Sequence, residues 1–139
     1  LKALFSRLEP GVKKLLVATR KALNNRFPGL NELVYDYGRS LVISWSPNER
    51  GADGVVALDA KADGLRLVFT HGVSLPDPKK VLQGKATQIR FIMLKAAADL
   101  NRPEVVELLA AAEVMAGGDL KSHNGGKVVI KESKGKKRT

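Results

Sequence analysis

Arg90 is a single cation set inside an apolar run, residues 88–94 (QIRFIML), and such a placement invites chemistry. A charge carried into a half-buried strand must be paired or must meet a ligand. Its candidate partners are the last carbonyls of the preceding turn and the carboxylate of Asp77, or else an anion on the floor of a cleft. Tyr35, Tyr37 and Trp45 come next, because rings at alternating strand positions either pack a sheet face or stack on a planar ligand. Glu49 and Arg50 follow Trp45 closely and add one charge of each sign. With Asp77 and Arg90 they define a candidate ligand site, a cleft between the 46–54 and 75–90 loops.

Catalysis finds less support. The chain has no cysteine, which removes disulfides, thiolate metal sites and cysteine nucleophiles together. His71 falls on an expected core face at a strand end, and the only other histidine, His123, lies near the C-terminus, so no paired-histidine metal spacing exists. Asp59 and Asp63 would sit in a strand and a turn, where they do not converge as calcium ligands do. A glycine-rich phosphate loop, a G-x-S-x-G elbow and an H-E-x-x-H helix are all missing from the sequence. The expectation is a binding domain with no catalytic residue, no metal and no cofactor.

The elements that must position these residues follow from periodicity. Residues 12–27 place Val12, Leu15, Leu16, Thr19, Leu23 and Phe27 at three- and four-residue steps, with Lys13, Lys14, Arg20, Lys21 and Arg26 on the other faces. Residues 33–37 (LVYDY) and 41–46 (LVISWS) are strand-like, with Gly38-Arg39-Ser40 between them. Residues 46–49 (SPNE) have the form of a capping box. Residues 55–61 and 65–71 form a hairpin through Asp63-Gly64, which pairs Ala60 with Leu67 and Leu58 with Phe69. That register sets Lys61 beside Arg66, with Asp59 as a diagonal neighbour. Asp77, Pro78 and Gly84 bound a short helical turn over 78–83, with Asp77 as its cap. A second long helix starts near Asn101 and ends at Gly117-Gly118.

The order is helix, four or five antiparallel strands, helix. It predicts an α+β fold, a two-layer sandwich with the N- and C-terminal helices on one face of the sheet. At 139 residues, 44% of them hydrophobic and 5% aromatic, the chain is one domain whose core rests on Leu, Val, Ile and Ala.

The net charge of +10 is unevenly placed. Residues 117–139 hold seven Lys and Arg against two acids, including the cluster Lys134, Lys136, Lys137 and Arg138. We therefore expect a domain over 1–116 and a basic, flexible tail over 117–139, able at most to associate weakly and without sequence preference with nucleic acid. No apolar run approaches the roughly 20 residues of a membrane span. A cytoplasmic protein is the expectation.

Tyr35-Asp36-Tyr37, the run 46–50 (SPNER) and above all Leu75-Pro76-Asp77-Pro78 with Leu82, Gly84 and Arg90 resemble the YdhG-like family of bacterial domains of unknown function. The resemblance covers about residues 12–94. It implies a frataxin-like fold, an antiparallel sheet flanked by terminal helices, and for one branch of the family an iron-chaperone role. The chain departs from the family pattern at Ala86, where a second glycine is usual, at Thr87, where a basic residue is common, and at Phe91, where a histidine normally follows the arginine. The long basic helix carries five Lys and Arg and no acid over 12–27, which argues against a carboxylate-rich iron surface there. The leading expectation is a small anionic ligand or a protein partner in the cleft near Arg90, with iron handling as the alternative.

Overall fold

The computed structural model describes residues 2–117 and 126–131. Helix α1 (Lys2–Phe5) is a single turn. Helix α2 (Pro10–Arg26) begins two residues before its apolar periodicity does, because Pro10 occupies a first-turn position and Glu9 accepts the Val12 amide at 3.0 Å. Glu9-Pro10-Gly11 thus starts this helix as well as ending the segment before it.

Six strands follow the helices into one sheet: β1 (Asn31–Asp36), β2 (Ser40–Ser46), β3 (Val56–Lys61), β4 (Gly64–Phe69), β5 (Arg90–Leu94) and β6 (Val128–Lys131), in the order β5-β4-β3-β2-β1-β6. Helix α3 (Pro103–Met115) lies between β5 and β6 in the chain. The expected four or five antiparallel strands, and the frataxin-like sandwich implied by the resemblance, are therefore corrected to a six-stranded mixed sheet. Five strands pair antiparallel in sequence order, and β6 pairs parallel to β1.

The KVVIK run supplies that sixth strand from within the stretch expected as a tail. The Lys127 carbonyl accepts from the Glu32 amide at 2.9 Å, the Gly126 amide donates to the Leu30 carbonyl at 3.1 Å, and the Lys127 amide donates to Asn31 Oδ1 at 3.3 Å. Three β-propensive residues and an open edge on β1 suffice for a short parallel pairing. Lys134, Lys136, Lys137, Arg138 and His123 lie outside the described residues.

The β3–β4 hairpin is real but its register is two residues from the expected one. Lys61 faces Gly64, so Ala62-Asp63 is the loop and Gly64 belongs to the strand. A two-residue shift keeps every side chain on its face. It also replaces the like-charge pairing of Lys61 and Arg66 with a direct pairing of Asp59 and Arg66.

One face of the sheet is covered. Leu16 and Leu23 of α2, Val105, Leu108 and Leu109 of α3, and Phe27 pack with Val34, Ile43, Leu58, Leu65, Leu67, Phe69 and Ile92 in one apolar core. Between β5 and α3 the 310 turn Ala97–Asn101 brings Leu100 into the same core and touches α2. Among the described residues no helix is long and apolar enough to cross a membrane.

Candidate functional site

No helix among the described residues covers the other face of the sheet, and the strand register sets out its side chains in rows. One row across the strands is Tyr35, Val42, Asp59, Arg66 and Met93; the next is Leu33, Ser44, Ala57, Val68 and Phe91. The middle of both rows is small or short, while the ends carry rings or long chains. A sheet face patterned this way is a trough, and a cleft of about 600 Å³ lies on it. Such a volume is in the range of small-molecule sites, about 300–1,000 Å³.

Two loops raise the rim. Gly51 and Ala52, around the 310 turn Gly51–Asp53, stand on one side, and Gly84, Lys85, Ala86 and Ile89 on the other. Gly51 approaches Tyr35 so closely that a Cβ there would sit 2.6 Å from the phenol oxygen. Tyr35 and Tyr37 stack with their ring centres 6.0 Å apart and their planes within 3°. Burial, then the neighbouring Tyr37, raises the Tyr35 phenol, with a backbone hydrogen bond from Gly51 pulling the other way.

The floor holds polar groups without partners. Ser44 Oγ, Asp59 Oδ1 and Arg66 Nε are buried and make no hydrogen bond, and among the described residues the only other such side-chain atom is Thr19 Oγ1. Buried polar atoms are paired in the great majority of cases, so three in one cleft call for an account. The Arg66 guanidinium leans over the Phe91 ring, 4.6 Å from its centre, and does not close an ion pair with Asp59. Lys61 Nζ stands 4.0 Å from Asp59 Oδ2. Burial pushes the Asp59 carboxyl above the usual range, against the opposing charges of Lys61 and Arg66.

Of the residues expected to bind ligand, only Tyr35 and Tyr37 line this cleft. Trp45 is wholly buried on the helix side, where its indole N–H donates to Asn24 Oδ1 at 2.9 Å. Asn24 and Arg20 in turn bond Glu32, with Arg20 Nε 2.6 Å from Glu32 Oε2. Glu49 faces Lys127 at 3.3 Å and Arg50 faces Asp53 at 3.5 Å, both exposed. The capping box at Ser46 is instead a loop network, in which Ser46 Oγ donates to the Arg50 carbonyl at 3.0 Å.

Asp77 does cap, though not a helix. Residues 77–80 make a tight turn that ends with Lys80 at φ 53°, and the carboxylate accepts the Val81 and Leu82 amides at 2.9 and 3.0 Å. Gly84 takes φ 120°, and Gln83 then makes an isolated bridge to Phe91 on β5. Arg90 bonds the carbonyls of Ala86 and Ile89 rather than Asp77. Its guanidinium therefore holds the rim of the cleft and does not line it.

Ser44, Arg66 and Phe91 are not among the expected binding residues, and Asp59 enters the sequence reading only as a neighbour of like charges and as a calcium ligand set aside. The signal for them was the register, since it alone brings Asp59 opposite Arg66. His71 lines a separate cavity of about 330 Å³ beside Asp53, Leu75 and Ala112. Among the described residues no group of three or more His, Cys, Asp or Glu is placed to hold a metal ion. No protein-family model, curated protein or solved structure matches this chain.

Proposed function

We propose that this chain is a small-molecule-binding domain of the YdhG-like family, whose site is the cleft on the helix-free face of the sheet. The observation that carries the proposal is the coincidence of Ser44 Oγ, Asp59 Oδ1 and Arg66 Nε, all buried and unpaired, on the floor of one ring-walled cleft. Leaving such groups unmatched costs about 1–3 kcal/mol each, so their retention has a physical reason if a ligand completes them. Arg66 and Lys85 favour a ligand with an anionic group, while Tyr35, Val42, Val68, Ile89 and Phe91 offer it apolar surface. A binding role without catalysis fits the lining, in which Ser44 has no histidine beside it to act as base.

A fragment screen followed by amide chemical shifts tests this. Binding fragments should move Ser44, Ala57, Asp59 and Arg66 together. Ala57→Leu, which fills the floor from its centre, should abolish those shifts while the fold persists. Hits that cluster elsewhere, or that survive Ala57→Leu unchanged, would overturn the assignment.

A further inference from the structure

We infer that the cleft takes a free α-amino acid with a large apolar side chain, gripped by its ammonium and carboxylate groups; this rests on the cleft being a binding site. Asp59 Oδ1 is an acceptor with nothing to accept, and Arg66 Nε is a donor with nothing to receive its hydrogen. The two residues face each other across β3 and β4, where Cβ atoms stand about 5 Å apart. They do not satisfy one another, because the guanidinium turns aside onto Phe91. A carboxylate and a guanidinium that line one cleft without pairing are together complementary to a ligand carrying a cation and an anion at similar separation.

An α-amino acid carries both on one carbon. Its ammonium would donate to Asp59 Oδ1 and Ser44 Oγ, and its carboxylate would accept from Arg66. Both contacts are then charge-assisted, which is the stronger kind of hydrogen bond. A plain anion would meet Arg66 but be repelled by Asp59, and a plain cation would fail in the opposite way. The charge of the ligand ammonium also opposes the rise that burial imposes on the Asp59 carboxyl. Beyond the two charges the cleft of about 600 Å³ continues over Val42, Ala57, Val68 and Ile89, with room for an indole-sized side chain.

Tryptophan, N-acetyltryptophan and tryptophanamide, titrated separately into the full chain, remove the two charges one at a time. Tryptophan should move the Ser44, Asp59 and Arg66 amides, and loss of either charge should weaken binding about tenfold or more. Asp59→Asn should erase the preference for tryptophan over N-acetyltryptophan yet keep the preference over tryptophanamide; Arg66→Gln should do the reverse. If the three compounds bind within about twofold of each other, or the variants discriminate as wild type does, the amino-acid assignment is wrong. Shifts at the cleft would in that case still uphold a binding site there. If none of the three moves those amides while other fragments do, the ligand class is wrong and the site stands; if nothing moves them, both fall.

Discussion

The two faces of the sheet treat polar groups in opposite ways. Under α2 the carboxylate of Glu32 is 5% exposed and fully answered: Arg20 bonds both of its oxygens and Asn24 one, and Asn24 also receives the Trp45 indole hydrogen. On the open face Asp59 and Arg66 are adjacent and unanswered at Oδ1 and Nε. Among the described residues Thr19 Oγ1 is the single buried, unmatched side-chain atom on the helix side. A matched buried network specifies a core, whereas an unmatched one lowers stability unless something else completes it. The difference is one of placement: three of the four buried, unmatched side-chain atoms among the described residues lie on the open face of the sheet.

Breaking the covered face should have the largest effect. Trp45→Ala removes a wholly buried ring and strands the Asn24 carbonyl, and should cost about 3–5 kcal/mol in urea unfolding. A midpoint near that of wild type would mean that the helix-side network does not hold the core.

Removing the chain beyond residue 117 should have an intermediate effect. It deletes β6, uncovers the edge of β1 and exposes part of Leu33, which is wholly buried beside Val129. The expected loss is about 1–2 kcal/mol, from the apolar area uncovered. It also frees Glu49 from Lys127, and so loosens the loop that carries Gly51 at the cleft rim. A truncated chain as stable as the full one would reduce β6 to an ornament of the edge.

The pH dependence sharpens the comparison with smaller effects. Burial holds the Asp59 carboxyl above its usual range, so the folded state keeps this proton more tightly than the unfolded chain does. The contribution of Asp59 to stability is therefore present at low pH and is lost as pH rises through its raised value. Asp99 runs the other way: the Lys95 and Ala96 amides bond its carboxylate and hold it below the usual range. Its contribution is present above the ordinary carboxylate value and is lost as pH falls through the lowered one. Urea midpoints between about pH 3 and 8 should show Asp59→Asn flattening the fall toward neutral pH and Asp99→Asn flattening the fall toward acid. Identical pH profiles for wild type and both variants would contradict these assignments.

Much of the fold is legible in the chain. Alternation in the strands marks Val56, Leu58, Ala60, Leu65, Leu67 and Phe69 as one face, which is the buried one, and the three- and four-residue steps in α2 mark its buried Val12, Leu16, Thr19 and Leu23. Asp77 as a cap and Gly84 at positive φ were legible from residue type, but the expected helical turn over 78–83 is not formed. Residues 127–131 (KVVIK) were legible only as the one structured candidate in a basic, glycine-bracketed stretch, because their partner β1 is about a hundred residues away in sequence. The candidate site was legible only in part. Alternation shows that Tyr35 and Tyr37 share a face, but Trp45 differs from them only through pairing. Asp63-Gly64 was the strongest local turn signal, yet Ala62-Asp63 forms the loop, and that one-residue move shifts the pairing by two and sets Asp59 against Arg66. Arg90 drew attention as a lone charge in an apolar run; backbone carbonyls were among its expected partners, and it bonds those of Ala86 and Ile89, four residues and one residue before it, rather than the carbonyls that end the 78–83 turn.

The contrast between the faces is tested most directly by truncating one carboxylate on each. Glu32→Ala strips partners from Arg20 and Asn24 and should cost about 2–3 kcal/mol, somewhat less than a fully buried pair because Arg20 is partly solvated. Asp59→Ala removes a group whose buried oxygen has no partner, and its urea midpoint should stay within about 0.5 kcal/mol of wild type or rise above it. A loss for Asp59→Ala as large as that for Glu32→Ala would show that Asp59 is part of the scaffold and that the cleft is not held open for a ligand.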